Sequence, residues 1–322
     1  MTFRPGTLRG LRQCASPRGT FTVLALDHRQ NLRRELRLAD PASVTFEEMV
    51  EFKRAVVRAL ADSATGVLLD PEIGAAQCIA DGSLPASAGL IVAVEATGYD
   101  GPSTARQSRI LEGWSVEQAA RLGASAVKLL VYYHPQAVNA PAKEALVAYV
   151  AEEARASDLP LFLEPLGYSI ADGGKLSGEE RRVVVIETAQ RLTAIGGDIL
   201  KAEFPYDASV ADEGRWREAC DELTAASRVP WVLLSGGVDE RTFERQVEVA
   251  CAAGASGVLA GRAIWAQAAT MPPAERDAFL SGEGRRRLAA LADRVDALAR
   301  PWETASPLAA MKPPGDGWYR EY

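Results

Sequence analysis

Residues 115–135 read SVEQAARLGASAVKLLVYYHP, and one complete helix-then-strand repeat can be taken from them. Ser115 followed three residues later by Gln118 fits a capping box, in which side chains satisfy orphan backbone donors at a helix start. The alanine-rich run that follows stops at Gly123, where a left-handed residue after a helix costs glycine least. Ala126 to Val131 is then a continuous apolar run, as expected of a strand buried on both faces in a parallel sheet. One lysine, Lys128, interrupts it.

The same rhythm recurs along the chain. Apolar runs of strand type lie at Thr22 to Leu26, Gly66 to Leu69, Leu90 to Val94, Ala126 to Val131, Leu161 to Leu163, Ile199 to Ala202, Pro230 to Leu234 and Gly257 to Ala260. Helix-forming stretches separate them, the pattern of parallel strands joined by crossover helices. Thr45 with Glu48 and Ser177 with Glu180 fit two more capping boxes, Asp239 is placed to cap another helix, and Gly254 repeats the position of Gly123. Eight such units predict an α/β fold, a parallel eight-stranded (β/α)8 barrel of the TIM type. No Pro- or Ser-rich linker divides the 322 residues, so we expect a single domain over 1–322. Its core would span about 20–270, followed by a C-terminal helix and an irregular tail over 272–322. The tail's aromatics are expected to pack either on a neighbouring subunit, in a homo-oligomer, or on the chain's own barrel.

Composition narrows the function. With 48% hydrophobic and 25% charged residues the chain has ordinary globular usage. Its formal charge of −7 argues against a surface that neutralises nucleic-acid phosphates. No apolar run approaches the ~18 residues of a membrane span, and the N-terminal MTFRPGTLRGLRQC lacks a signal-type apolar region. The expectations are a cytoplasmic protein with no nucleic-acid or membrane partner. Cys14, Cys78, Cys220 and Cys251 are widely spaced and form no CxxC pair, and only His28 and His134 supply imidazoles, so no metal site and no cofactor are expected.

In this barrel type the active site forms at the C-terminal strand ends. The polar residues there are Asp27, Asp70, Glu95, Lys128, Glu164, Lys201 with Glu203, Ser235 and Arg262. Lys128 in AVKLLVYY and Lys201 in DILKAEFP are the sharpest signals, because lysine is rarely buried without a partner or a task. Each could form a structural ion pair with Glu164, Glu203 or Asp27. Two in one barrel mouth favour chemistry: a lysine attacks a carbonyl only as the free amine, and both burial and a second ammonium favour that form. Glu164 is placed to shuttle protons. In LLSGGVD and GVLAGRAIW, Ser235, Gly236, Gly237, Gly261 and Arg262 suit a phosphate held by backbone amides, a hydroxyl and a guanidinium. Asp27 in ALDHRQ could hold substrate hydroxyls and Arg29 a second anionic end; a solvated loop or a structural Asp–Arg pair is the alternative. The loop from Gly98 to Gly113 is long enough for a lid, with Gly98, Gly101 and Gly113 as hinges.

The ordered set ALDHR, AVKLLVYYHP, LFLEPLGY, DILKAEFP, LLSGGV and GVLAGR resembles the class I tagatose 1,6-bisphosphate aldolase family, which includes aldolases that split sulfofructose phosphate. The resemblance covers about residues 20 to 270 and implies a metal-independent, imine-forming barrel that releases dihydroxyacetone phosphate and an aldehyde from a small-molecule sugar phosphate. By similarity Lys201 is the Schiff-base lysine, Lys128 its cationic neighbour and Glu164 the acid/base. Asp27 and Arg29 match the first-strand turn that binds substrate, and Ser235, Gly236, Gly237, Gly261 and Arg262 match the phosphate cradle. His28 stands where the family usually has glutamine, and QNLRRELR lacks the small residues and lysine common in bisphosphate members, leaving the distal group open between phosphate and sulfonate. Two other readings compete: a transaldolase-like or ulosonate-forming reaction on the same imine, and a non-catalytic sugar-phosphate sensor.

Overall fold

The computed structural model describes residues 4–207, 209–310 and 314–320. Eight parallel strands close into a barrel in sequence order: β1 (Phe21–Ala25), β2 (Gly66–Leu69), β3 (Gly89–Ala93), β4 (Ala126–Tyr132), β5 (Leu161–Leu166), β6 (Ile199–Ala202), β7 (Trp231–Leu234) and β8 (Gly257–Ala260). All eight expected runs are strands. The largest departure is β5, which continues three residues past Leu163 through Glu164 and Pro165 because β4 is also long: Leu130 pairs with Glu164 and Tyr132 with Leu166. Pairing to β6 stops at Leu163 with Leu200, before the residue that has no N–H to donate.

Helix α1 (Pro5–Cys14) precedes the barrel. The crossovers carry α2 (Gln30–Leu36) and α3 (Phe46–Leu60), α4 (Ala75–Ala80), α5 (Val116–Leu122), α6 (Ala140–Ala156), α7 (Gly178–Ile195), α8 (Glu213–Ala226) and α9 (Glu240–Ala252); α10 (Arg262–Trp265) follows β8. Thr45 and Glu48 form the full reciprocal capping box on α3, and Asp239 accepts from the Thr242 amide. Ser115 accepts from the Gln118 amide, but the Gln118 side chain turns to the Gly113 carbonyl, so that box is half-made. Ser177 makes no side-chain cap; Gly178 after it donates to Asp207 instead. Pro273 to Leu298 is helical nearly throughout, as expected. Among the described residues no helix is long and apolar enough to cross a membrane.

Strand alternation builds two concentric cores. One parity, including Leu24, Val67, Val92, Val127, Leu163, Leu200, Leu233 and Val258, packs outward against the helices. The other parity, Val23, Leu68, Ile91, Ala126, Phe162, Ile199, Val232 and Leu259, fills the barrel interior. Phe21 and Phe162 meet edge to face there at 5.7 Å, a geometry worth ~0.5–1.5 kcal/mol beyond the area buried. Leu11 and Cys14 of α1, with Trp302 and Leu308 of the C-terminal segment, complete this inner layer as a floor at the strands' N-terminal ends. The approach is close: a Cβ on Gly10 would overlap the Ser125 carbonyl oxygen just before β4. The first part of the tail thus packs on its own barrel; residues 311–313 and 321–322 lie outside the described residues.

Candidate active site

Two residues beyond each inner-core position, the same parity carries the chain's polar residues upward into the barrel mouth. Ala126 leads to Lys128, Phe162 to Glu164, Ile199 to Lys201, and on the first strand Val23 and Ala25 lead to Asp27. Alternation alone therefore aims these side chains into one space. They line a cavity of about 560 Å³ together with Glu95, Glu203, Ser235, Gly236, Gly261 and Arg262.

At its base the Lys128 ammonium, fully buried, lies 2.7 Å from Asp27, 2.7 Å from Glu95 and 2.8 Å from Glu164. Lys201, 4% exposed, lies 2.8 Å from the other oxygen of Glu164. One carboxylate thus spans both amines. Burial opposes charge on Lys128, but Asp27, Glu164 and Glu95 together outweigh it and hold the ammonium well above its ordinary pKa. Asp27 mirrors this: burial works against its ionisation, and Lys128, then Lys201 and His28, hold it well below the usual carboxylate range. Three carboxylates around one amine thus favour the charged form of Lys128. The expected structural pairing is present as well, and the two readings are compatible because the same Glu164 serves both lysines.

Arg29 also lines the cavity, but its guanidinium is taken up by Glu72 at 2.6 Å, the Glu95 carbonyl at 2.9 Å and the Glu95 carboxylate at 3.7 Å. It closes the ion network rather than presenting a free charge. Asp70 turns away from the cavity to a fully buried pair with Lys53 of α3 and accepts from the Ile73 amide. His28 lies edge to face on Trp265 at 5.1 Å, and its Nδ1, 3.9 Å from Asp27, makes no hydrogen bond among the described residues. Burial pushes its pKa down to about 4, with Arg262, Lys201 and Lys53 acting in the same direction against Asp27.

Of the expected phosphate residues, Ser235, Gly236, Gly261 and Arg262 line the cavity. Gly237 is not among the lining residues but lies against the Arg262 guanidinium, where a Cβ would sit 2.7 Å from Nη2; its φ of +77° disfavours a side chain independently.

Sequence reading missed the rim. Residues 96–113 form a strap whose Arg106 packs over the rings of Tyr99, Tyr132 and Tyr168 at 4.8, 5.1 and 5.0 Å. Arg106 also donates to the Gly173 carbonyl at 2.6 Å, and Asn139 donates to the carbonyls of Ala105 and Arg106. Tyr99 and Tyr132 face the cavity. The loop expected as a lid is thus fastened to the loops after β4 and β5. Beneath it Lys143, fully buried, donates to Asn139 and Tyr168 at 2.8 Å each, and burial, with Arg106 adding, pushes its pKa down to about 8. No local motif marked these residues, because the strap meets them only across three separate loops.

A family model described as DeoC/LacD family aldolase matches residues 21–267. The chain belongs to the DeoC/LacD aldolase family. This aldolase is 32% identical over 315 residues to tagatose 1,6-diphosphate aldolase 2 of Streptococcus pyogenes serotype M3, covering 88% of this chain and 93% of that one. It is 31% identical over 311 residues to tagatose 1,6-diphosphate aldolase 1 of S. pyogenes serotype M1, covering 89% and 94%. Among solved structures, an archaeal fructose 1,6-bisphosphate aldolase superposes with a TM-score of 0.60 at 22% identity, covering 89% of this chain and 98% of that one. The fructose-bisphosphate aldolase of Plasmodium falciparum gives 0.68 at 13%, covering 93% and 98%. Those two likenesses concern the barrel, and the aldolase's own site must speak for its chemistry.

Proposed function

We propose that this aldolase works through a Schiff base on Lys201 and cleaves a phosphorylated ketose, of the tagatose 1,6-bisphosphate type, to dihydroxyacetone phosphate and an aldehyde. The observation that carries this reading is the single carboxylate of Glu164 held between Lys201 and Lys128 in a buried, substrate-sized mouth. Lys201 must shed a proton before it attacks, and Glu164 Oε1 at 2.8 Å is the acceptor in reach. The amine adds to the ketose C2 carbonyl, and the carbinolamine oxygen leaves as water with the proton Glu164 returns. Glu164, a carboxylate again, takes the C4 hydroxyl proton and the C3–C4 bond breaks. Its electron pair flows into the protonated imine, releasing the aldehyde and leaving an enamine, which is protonated at C3. Hydrolysis frees dihydroxyacetone phosphate and restores Lys201. Lys128 stays charged throughout, orienting Glu164, and Asp27 receives substrate hydroxyls. Ser235, Gly236, Gly261 and Arg262 take the phosphate next to the reacting carbonyl, with Gly237 leaving room for the guanidinium.

The test is borohydride reduction in the presence of dihydroxyacetone phosphate. A reduced adduct on the peptide containing Lys201, absent in Lys201→Met, is expected; an adduct on Lys128 alone, or none, sinks the proposal. Triose phosphate release from a panel of tagatose and fructose bisphosphates and sulfofructose phosphate then ranks the substrates.

A further inference from the structure

Among the described residues Lys53, Lys128 and Lys143 are fully buried. Lys53 sits on Asp70, and Lys128 on Asp27, Glu95 and Glu164. Lys143 of α6 has no ion pair among the described residues. Its amine donates to two neutral oxygens, Asn139 Oδ1 and the Tyr168 hydroxyl, at 2.8 Å each, and lies 5.0 Å from the centre of the Tyr168 ring. The charge beside it is a like one, since the Arg106 guanidinium lies over the same ring, also at 5.0 Å. A buried ammonium without a carboxylate and next to a second cation is costly; a neutral amine donates to the same two acceptors without that cost.

What Lys143 holds is the strap. Asn139, which accepts from the amine, donates through its own Nδ2 to the carbonyls of Ala105 and Arg106 at 2.9 and 3.2 Å. Tyr168, the other acceptor, lies beneath Arg106, which reaches on to the Gly173 carbonyl. Strap and loop meet closely there, for a Cβ on Gly173 would overlap Ser103. Tyr99 on the strap lines the mouth, so releasing these contacts moves part of the wall around Lys128, Glu164 and Lys201. Release also brings water to Lys143 and carries Arg106 away, and both changes favour the ammonium.

We propose that Lys143 is a positioning residue for the mouth: it fastens the strap as a neutral amine and takes up a proton when the strap opens. The inference stands on the strap's contacts and is independent of the imine chemistry. Around the amine and its partners stand Arg106 and Tyr99 of the strap, Tyr132 at the end of β4, His134 just after it, and Tyr168 after β5. Burial holds Tyr132 and Tyr168 above 10 and His134 below 6.5. Glu180 and Glu187 of α7 act on His134, and Glu144, next to Lys143 on α6, accepts from the Tyr133 hydroxyl. Between pH 7 and 9 Lys143 is left as the responsive group, with burial, and then Arg106, bringing it to about 8. The shut strap therefore binds fewer protons than the open one, and acid favours opening. With the amine at its ordinary 10.5 when open, the open fraction rises about tenfold as pH falls from 9 to 7.

The experiment is limited trypsin digestion at pH 7 and pH 9, following cuts after the strap's Arg106 and Arg109 and dividing each rate by trypsin's rate on a short peptide at the same pH. Cleavage then reports the open population. Wild type should be cut about tenfold faster at pH 7, with the barrel strands left intact. Lys143→Met should show nearly equal rates at both pH values, and Lys143→Arg, charged throughout, should be cut fast at both. Lys143→Gln, which keeps a donor for the same acceptors, is run beside them so that the outcome does not depend on one variant folding; it too should lose the pH response. A wild-type ratio within about twofold between the two pH values overturns the proposal. So does a tenfold response that survives in Lys143→Met or Lys143→Gln, because a lysine that only packs the strap in place would change the rates without removing their pH dependence.

Discussion

Replacing Lys128 by Met should make the stability contributed by its ion cluster depend on pH across a range where the wild-type cluster is insensitive. The ammonium makes contacts of 2.7, 2.7 and 2.8 Å with Asp27, Glu95 and Glu164. At an effective dielectric of about 20, each is worth about 6 kcal/mol before desolvation is charged against it. Desolvation removes much of that, and deleting one partner of a buried charge cluster typically costs about 3–5 kcal/mol. In a chain of this size ~2 °C per kcal/mol gives a loss of about 6–10 °C in Tm at pH 8. In wild type the raised Lys128 pKa means its contribution is full below about 10.5 and fades only as pH rises through the still higher folded value. The depressed Asp27 pKa means its contribution is full above about 4 and is lost only as pH falls through its folded value. Wild type should therefore show little change from this cluster between about pH 5 and 10. In the variant Asp27 loses the first of the attractions that lower its pKa while burial still raises it, so that pKa climbs and the deficit should shrink on acidification to pH 5. Calorimetric Tm values at pH 8 and pH 5 provide the measurement. A Tm within about 2 °C of wild type at pH 8, or an equal deficit at both pH values, would refute the idea that this lysine balances the carboxyl groups around it.

Two further outcomes follow from the rim and the first-strand turn. Because His28 titrates at about 4, the unfolded chain binds its proton first as pH falls through 6.5, so this residue should cost wild type up to about 3 kcal/mol between pH 6.5 and 4. His28→Gln should lose that part of the acid sensitivity; identical Tm profiles from pH 7 to pH 4 would contradict it. Arg106→Ala should release the 96–113 strap by about 2 kcal/mol, raising amide exchange there about thirtyfold while the barrel strands keep their protection, and unchanged exchange would show that the strap is held by something else.

The barrel was legible because its strands are continuous apolar runs, and the site because Lys128, Glu164 and Lys201 break those runs at one parity. Alternation carries both facts, so the fold and the convergence of these three side chains could be read together. Glu164 and Pro165 concealed the end of β5, since neither residue favours a strand and only the partner β4 extends it. Ser177 imitated a capping box that Gly178 and Asp207 replace. Arg29 looked free because its partners Glu72 and Glu95 come from other strand ends, and Arg106 and Lys143 left no trace because their partners are remote in the chain. Pattern reveals what repeats within a segment; charge matching between loops requires coordinates.

The floor of the barrel has a practical meaning for anyone wishing to toughen this catalyst. Leu11, Cys14, Trp302 and Leu308 belong to an apolar layer on the N-terminal side of Lys128, Glu164 and Lys201. Cys14 is inert there, its thiol pushed up to about 12 by burial. Substitutions confined to this tightly packed basement are expected to move heat tolerance and leave turnover alone, since robustness and selectivity occupy different storeys of the same building.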